Sequence, residues 1–384
     1  MLRIIAALTA LLLALPAQAQ RLPPRAEVLA SMEKLADWQL AHLDASYIPG
    51  PSWSRPRDAR DWQAATFWVG LTTLVGPGFE RPMRERYLNA IFKTGESLGW
   101  RLGDRLYHAD DHLIGSVWIW ASGYSGDDMG RLQPMRAQFD RMLAAPATVG
   151  LEFIPREPGG GDSACTDRWC WCDALFMAPP TLWALSKRTG DPRYADFADR
   201  EFRATTAYLL DPAEGLYFRD SRFFTRKGEH GEKLFWSRGN GWVFSGLARI
   251  IPNIAENDPR RAYYVDLFKR MAARLLKLQR PNGYWAPSLL GDPATAADET
   301  SGTAFFVHGF AWGIKAGILP RKTYLPAVAK GWAALNRAIQ PDGRLGWVQQ
   351  VSDRPDAVSA SDTQFYGTGA FLLAGTAIYE LGGK

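Results

Sequence analysis

The chain has 384 residues, of which 47% are hydrophobic and 22% are charged, and its formal net charge is +5. The 45 basic and 40 acidic residues are interspersed along the chain rather than grouped in blocks. This pattern argues against nucleic acid as a partner but is compatible with a basic site for an acidic ligand. The 16 tryptophans are suited both to a large core and to platforms for sugar rings.

The first 19 residues have the features of an export signal. Arg3 supplies the positive start, residues 4–15 form an apolar run too short to span a membrane, and Ala17-Gln18-Ala19 fits a cleavage site. The alternative is a short buried helix. We expect a periplasmic or secreted monomer of residues 20–384, without membrane association. No linker-like stretch divides these residues, which favours one domain.

A short polar cluster precedes an apolar, helix-like run six times along the chain. Reference residues in the six clusters lie 50, 62, 67, 61 and 61 positions apart: Asp61, Asp111, Asp173, Asn240, Ser301 and Asp362. A near-constant period of this length is typical of a repeat that contains two helices. The sequence therefore predicts an all-α fold, a closed toroid of six helical hairpins. The polar clusters would meet on one face.

Apolar periodicity predicts the helices in chain order. Outer helices are expected at 25–43, 82–97, 131–144, 193–209, 258–278 and 323–338, and inner helices at 64–74, 113–121, 174–188, 243–251, 304–316 and 369–381. Long irregular stretches at 146–168, 211–235, 280–298 and 340–361 each precede an inner helix, and loops of this length often carry function. Short strands are expected at 216–219 and 284–285.

Three cysteines lie within eight residues: Cys165, Cys170 and Cys172. This spacing is not a disulfide framework, and no nearby histidine completes a zinc site. Core packing and one local disulfide that leaves one free thiol both remain open.

Asp173 is the strongest single candidate for catalysis. It precedes a very apolar helix and has aromatic neighbours, including Trp171. Desolvation would raise the pKa of this carboxyl toward the working pH, which suits a group that gives and takes a proton. The competing interpretation is an ordinary helix cap.

A second acidic cluster contains Asp110 and Asp111, flanked by His108 and His112. The two histidines have a spacing that can bind metal on one helix face, but no third ligand is evident, so we expect no metal and no cofactor. Capping and helix-dipole stabilisation are alternatives to a sugar-binding or acid/base role. Either aspartate could act as a charged neighbour of Asp173, and we assign the second catalytic role to Asp111.

The segment from Trp236 to Trp242 combines two aromatics, the cation Arg238, the amide Asn240 and two glycines. Because arginine binds a carboxylate through two parallel hydrogen bonds, this segment is a candidate site for an acidic sugar. A structured loop is the alternative. Arg219 and Arg222 in the preceding loop would add positive potential, although each could simply be a solvated charge.

Three segments resemble glycoside hydrolase family 105, the unsaturated rhamnogalacturonyl hydrolases, and its close relative, family 88: Trp171–Pro180, Phe235–Trp242 and Glu299–Ala304. The resemblance covers nearly the whole mature chain. It implies an (α/α)6 barrel that removes a 4,5-unsaturated uronic acid from lyase-generated oligosaccharides, with rhamnogalacturonan as the expected parent polysaccharide.

The resemblance also implies roles for individual residues. Asp173 matches the catalytic acid/base. Asp110 or Asp111 matches the second acidic residue, and Trp236 and Arg238 match residues that line the uronate pocket. Some relatives have a histidine in the loop before that last segment, where this chain has arginines, which leaves the aglycone open. The alternatives are another sugar enzyme on the same toroid, such as an epimerase or inverting glycosidase, and a non-catalytic oligosaccharide-binding protein.

Overall fold

A computed structural model of the protein describes residues 21–75, 81–124, 128–158 and 162–382. The predicted signal peptide, residues 1–19, lies outside the described residues. The helices in chain order are α1 (Arg25–Ala41), α2 (Trp62–Thr73), α3 (Arg81–Ser97), α4 (Ala109–His112), α5 (Gly115–Tyr124), α6 (Gln133–Ala144), α7 (Ala174–Met177), α8 (Pro179–Thr189), α9 (Pro192–Leu209), α10 (Ser237–Ile250), α11 (Arg261–Leu276), α12 (Thr300–Lys315), α13 (Arg321–Arg337) and α14 (Phe365–Leu381).

The helices form two concentric layers. The inner layer consists of α2, α5, α8, α10, α12 and α14. Each of these helices contacts the next one in chain order, and α14 contacts α2, which closes the ring. The outer helices pack against this ring: α1 against α14, α3 against α2, α9 against α8, α11 against α10 and α13 against α12. The predicted all-α toroid, an (α/α)6 barrel of six helical hairpins, is therefore confirmed.

Burial explains the two layers. Nearly every residue of α12 and α14 is buried, as expected for helices that are apolar all round. An outer helix such as α9 buries one stripe that includes Tyr194, Phe202 and Leu209. Where α2 and α14 meet, a Cβ atom on Gly369 would lie 2.2 Å from the Thr66 carbonyl oxygen, so glycine permits the close approach that completes the ring.

Several element boundaries differ from the prediction. The inner helix expected at 174–188 is divided into α7 and α8, because Pro179 and Pro180 have no backbone N–H to continue the helical hydrogen bonds. The inner helix expected at 113–121 is α5, which begins at Gly115 and is preceded by the separate short helix α4. Helix α12 begins at Thr300, because the Glu299 carboxylate accepts hydrogen bonds from the backbone N–H groups of Ser301 and Gly302, each at 2.8 Å.

The predicted strands are mostly absent from the described residues. A two-residue antiparallel pair joins β1 (Leu210–Asp211) to β2 (Leu216–Tyr217). The strand expected at 284–285 does not form, because the Trp285 N–H donates to the Thr303 hydroxyl instead of to a neighbouring strand. Within the described ranges, none of the helices is long and apolar enough to cross a membrane.

Candidate active site

A cavity of about 700 Å³ opens at the end of the toroid where the inner helices begin. Residues from α2, α4, α7 and two of the long loops line it. Five of the predicted site residues are among them: Asp110, Trp171, Asp173, Arg219 and Arg222. The predicted convergence of polar clusters on one face thus brings the carboxyl groups of Asp110 and Asp173 together with the cations Arg219 and Arg222.

Asp173 lies directly before α7 and is only 7% exposed. Its side chain makes no capping hydrogen bond to the helix, so the cap interpretation is wrong. Its Oδ2 atom lies 3.6 Å from Arg219 Nε and accepts a hydrogen bond from the Cys172 thiol at 3.5 Å. Burial raises the pKa of Asp173, and the charges of Arg219 and Arg238 oppose that rise. The net shift of the pKa is upward, which is the direction that suits an acid/base.

The cysteine cluster contains one disulfide, between Cys165 and Cys170, and Cys172 is a free, buried thiol. Burial raises the pKa of Cys172 well above its usual value, and the charge of Asp173 raises it further. The group is therefore a neutral thiol beside the carboxyl of Asp173. A Cβ atom on Gly239 would lie 3.0 Å from its sulfur, so the glycine of the second motif makes room for this arrangement.

Asp110 is the second carboxyl group in the cavity, and its side chain is 15% exposed. Burial raises its pKa to about 7, with Arg105 opposing the rise and the charges of Asp111 and Asp173 adding to it. His108 Nδ1 lies 3.6 Å away, but burial lowers the pKa of His108 well below its usual value. The imidazole is therefore uncharged at neutral pH and does not hold Asp110 ionised.

Asp111, which we predicted from the sequence to have the second catalytic role, does not line the cavity. Its carboxylate is bound by Arg105, whose Nε and Nη2 atoms lie 3.0 Å and 2.5 Å from Oδ1 and whose backbone N–H donates to Oδ2 at 2.7 Å. These contacts order the turn before α4. The structure therefore places Asp110 rather than Asp111 in the cavity, and the second catalytic role stays a prediction.

The two histidines of this cluster point in different directions. The His108 ring lies 4.9 Å from the Trp171 ring beside the cavity. His112 Nε2 donates to the Leu106 carbonyl oxygen at 3.0 Å, and its ring packs on Phe139 in the core. Among the residues that the structure describes, no group of three or more histidine, cysteine, aspartate or glutamate side chains has a metal-binding arrangement.

Arg238 does not reach the cavity, contrary to the prediction that it binds an acidic sugar. It is fully buried, and its guanidinium lies between the rings of Trp236 and Tyr366 at 4.3 Å and 4.7 Å. Its Nη1 and Nη2 atoms donate to the carbonyl oxygens of Gln349 and Gln350 at 2.7 Å and 2.9 Å. Arg238 therefore anchors the loop that continues into the cavity wall at 351–354.

The other residues of this motif also lie behind the cavity wall, so their predicted contacts with substrate are corrected. Trp236 Nε1 donates to the Gln349 side chain at 3.0 Å. Asn240 donates to the Tyr217 carbonyl oxygen at 3.0 Å and accepts from its N–H at 2.8 Å. The Trp242 ring is fully buried, 4.2 Å from the Phe305 ring. The alternative interpretation, a structured loop, is also wrong, because residues from Ser237 onward form the buried first turns of α10.

Arg219 and Arg222, both predicted from the sequence, are two of the three cations that line the cavity among the described residues, and Arg354 is the third. The buried carboxylate of Asp220 holds Arg219 and Arg222, with Nη–Oδ2 distances of 2.7 Å in each case. Arg222 also lies 2.9 Å from Asp353 across the cavity wall. Both arginines are thus fixed in place at the surface that a substrate would contact.

Sequence reasoning missed part of the cavity wall: Trp53, Met177, Val351–Arg354 and Asp356. Trp62 also lines it, stacked on Tyr366 at 5.2 Å, and belongs to the first polar cluster. Trp53 is 65% exposed at the cavity mouth. A tryptophan in a polar loop rich in proline and serine was the available signal for Trp53.

Comparison with known proteins identifies the family. The family model for Glycosyl Hydrolase Family 88 matches residues 31–381. The chain belongs to this family. The resemblance read from the motifs is thereby confirmed, and so is the expectation that the protein is a hydrolase that acts on glycosides.

Two curated relatives share the name unsaturated 3S-rhamnoglycuronyl hydrolase. The one from Alteromonas sp. (strain LOR) is 39% identical over 89% of this chain and 83% of its own length. The one from Formosa agariphila is 34% identical over 92% of this chain and 91% of its own length. This family 88 chain therefore aligns with both relatives over most of their length.

Solved structures share the fold. A family 88 glycosyl hydrolase from Bacteroides vulgatus superimposes with a TM-score of 0.77 at 24% identity, over 94% of this chain and all of that chain. A protein from Salmonella enterica described as a possible member of family 105 superimposes with a TM-score of 0.71 at 18% identity, over 98% of this chain and 99% of that chain. Both support the toroid.

Proposed function

We propose that this family 88 hydrolase removes a 4,5-unsaturated uronic acid from the non-reducing end of lyase-generated oligosaccharides, acting as a periplasmic or secreted monomer. One observation carries the proposal. Two largely buried carboxyl groups with raised pKa values share a cavity with cations, which suits proton transfer to an anionic sugar. The names of the two curated relatives support the same substrate class.

The proposed chemistry begins at the double bond. Asp173 donates its proton to C4 of the enol ether, and positive charge develops at C5, where the ring oxygen stabilises it. A water molecule adds at C5 and returns a proton to Asp173, which leaves a hemiketal. The hemiketal opens to a C5 ketone, and the hemiacetal formed at C1 breaks down to an aldehyde and the free aglycone. One water is consumed, and Asp173 is regenerated as the acid.

Arg219 couples substrate binding to the protonation of Asp173. In the free protein its charge lies close to the Asp173 carboxyl and opposes the rise of the pKa of that group. A substrate carboxylate bound at Arg219 would neutralise that charge and add a negative one. The pKa of Asp173 would then rise further when the substrate is present, so the acid is protonated when it is needed.

The aglycone is the finer part of the proposal. The names of the curated relatives point to rhamnose next to the unsaturated uronate, and we read their 3S as a 3-sulfate on that rhamnose. Exposed Trp53 offers an apolar face for a sugar ring at the cavity mouth, and Arg354 adds a cation for an anionic group. The names of the relatives and the cation Arg354, which lies between Asp353 and Asp356 in the cavity wall, support a sulfated rhamnose in place of the rhamnogalacturonan aglycone expected from the sequence.

The test uses three oligosaccharides of equal length. They are an unsaturated uronyl–rhamnose 3-sulfate, its desulfated counterpart, and a saturated uronyl–rhamnose 3-sulfate. We expect loss of the ultraviolet absorbance of the enol ether and release of rhamnose 3-sulfate with the first, slower turnover of the second, and none of the third. Equal turnover of the saturated compound would mean ordinary glycoside hydrolysis and overturn the mechanism. Equal turnover of the first two would remove the sulfate from the proposal.

A further inference from the structure

A second cavity, of about 420 Å³, lies at the opposite end of the toroid. All six inner helices contribute to its wall, with Thr72, Ser116, Ala184, Arg249, His308 and Thr376 as representatives, and the lining includes the last turns of α2 and α10. The cavity is thus on the axis of the ring but separate from the substrate cavity. It shares none of its lining residues with that cavity.

Arg249, near the end of α10, is the cation of this axial cavity. Its Nη1 atom donates to the Phe176 carbonyl oxygen at 3.1 Å, and its Nη2 atom donates to the Ser116 hydroxyl at 2.8 Å. The guanidinium also lies over the Phe176 ring, 4.4 Å from its centre. All three partners are uncharged.

No anion among the described residues balances this charge. Burial lowers the pKa of Arg249 to about 9, and no neighbouring carboxylate opposes that effect. Glu380 lines the cavity, but its carboxylate is paired with Lys315 Nζ at 2.6 Å. His308 is uncharged, because burial lowers its pKa to about 3 and its Nδ1 atom shares a hydrogen bond of 2.7 Å with the Ser245 hydroxyl.

The Arg249 side chain is only partly exposed and its hydrogen-bond partners are neutral, so a bound anion would supply the opposite charge that these partners lack. The planar guanidinium has further N–H donors beyond the two already used, and its geometry matches oxyanions. We propose that the axial cavity binds a small oxyanion, of the sulfate or phosphate type, on Arg249. This site is additional to the substrate cavity and to the proposed reaction.

The site is also connected to the catalytic helix. Arg249 holds the carbonyl oxygen of Phe176, and the Phe176 N–H donates to the carbonyl oxygen of Asp173 at 3.0 Å. An oxyanion on Arg249 would therefore act on α7 from the end opposite to the substrate. We expect such an effect on turnover to be non-competitive, because the two cavities do not overlap.

Sulfate is the probe for the test, titrated against chloride at constant ionic strength while the Tm is measured. We expect a saturable rise in Tm of roughly 3 °C at a hundredfold excess over the Kd. In Arg249→Gln the saturable rise should disappear. Arg261→Gln is the matched control, because Arg261 also donates to main-chain carbonyl oxygens, those of Ile251 and Ile254, without lining the cavity.

A purely structural Arg249 gives a different result. Arg249→Gln would then lower the Tm equally at every sulfate concentration and keep the sulfate response, which would overturn the proposal. Sulfate that bound at the substrate cavity would compete with substrate, and its effect on Tm would persist in Arg249→Gln, which would also overturn it. Repeating the titration with phosphate at several pH values shows whether singly or doubly charged anions are preferred.

Discussion

At the scale of single residues, Asp110 and Asp173 show how burial prepares a carboxyl group for proton transfer. Both lie in the same cavity and both have raised pKa values, with burial as the main cause. Asp111 is adjacent in sequence to Asp110 but is engaged by Arg105. The difference between these neighbours comes from the direction of each side chain, so residue type alone does not mark the chemically useful group.

We predict that Asp173→Asn lowers kcat by roughly 100-fold or more, because it removes the proton donor while preserving size and hydrogen-bonding capacity. Activity and Tm are measured on the same preparation. Asp266→Asn is the control, since that carboxyl is 67% exposed on an outer helix and should leave turnover unchanged. Near-normal kcat in Asp173→Asn would show that another group is the acid.

We predict that Arg219→Gln raises KM and shifts the pH profile. The loss of one charge-assisted contact to the substrate carboxylate should lower kcat/KM by roughly 10- to 100-fold. The profile of kcat/KM reports the free enzyme, in which Arg219 holds the pKa of Asp173 down. Its apparent pKa should therefore move upward in the variant, toward the value seen in the kcat profile.

Arg226→Gln is the control for that experiment, because Arg226 is exposed on the same loop and does not line the cavity. A uniform loss of rate without any shift of the kcat/KM profile would show that Arg219 binds substrate without tuning Asp173. An unchanged KM would show that another residue holds the substrate carboxylate.

At the scale of the element, the loop before α14 forms part of the cavity wall and is held from behind. Arg238 binds the carbonyl oxygens of Gln349 and Gln350, and the Tyr366 hydroxyl donates to Gln349 O at 2.6 Å. The Gln349 side chain in turn donates to the Arg354 carbonyl oxygen at 2.8 Å. Arg238 belongs to a motif that resembles a substrate site, but its contacts hold the loop at 349–354 in position.

We predict that Arg238→Lys raises KM by roughly 10-fold while leaving the pH profile unchanged. Lysine keeps the positive charge near Asp173 but cannot make two parallel hydrogen bonds to neighbouring carbonyl oxygens. The unsaturated uronate and its methyl ester should lose efficiency equally, because the defect lies in the loop. Hydrogen exchange should show faster opening at 349–356.

Arg274→Lys serves as the control, since Arg274 also donates to a main-chain carbonyl oxygen, that of Glu214 at 3.2 Å, in another part of the toroid. A loss confined to the free uronate would show that Arg238 binds the substrate carboxylate after all. In that case the anchoring role would be wrong.

At the scale of the whole molecule, Asp110 links the active site to stability. Its pKa rises from 3.8 to about 7 on folding. Between these values the folded protein retains a proton that the unfolded chain has lost, so stability falls as pH rises through this window and is lowest above it. Ionisation of Asp110 therefore lowers the free energy of unfolding above neutral pH, and this loss is absent in acid, where Asp110 is protonated in both states.

We predict that Asp110→Asn stabilises the protein at alkaline pH. Three pKa units correspond to roughly 4 kcal/mol, and water in the open cavity reduces the effect, so we expect a gain of roughly 2 kcal/mol at about pH 8. The gain should shrink toward zero below about pH 4. Denaturant unfolding across this range, with Asp266→Asn as the exposed control, measures it. A variant less stable than wild type at about pH 8 would contradict the assigned pKa.

The sequence alone determined the ring of six hairpins and the end that carries the site. Both follow from local properties of the sequence. The periodic spacing of apolar residues predicts each helix, and a recurring polar cluster indicates where each inner helix begins. Asp173 and Trp171 were found for the same reason, since both lie in such a cluster, whereas Arg219 and Arg222 were found as cations in the long loop that precedes one.

The tertiary structure decided which polar groups face the cavity. Asp110 rather than Asp111 lines it, Arg238 is committed to main-chain carbonyl oxygens, and Trp53 reaches the mouth from a loop far away in sequence. These outcomes depend on side-chain directions and on contacts between segments distant along the chain. Neither can be read from spacing, because the same residue types serve equally well as ligands of a substrate or as partners of the backbone.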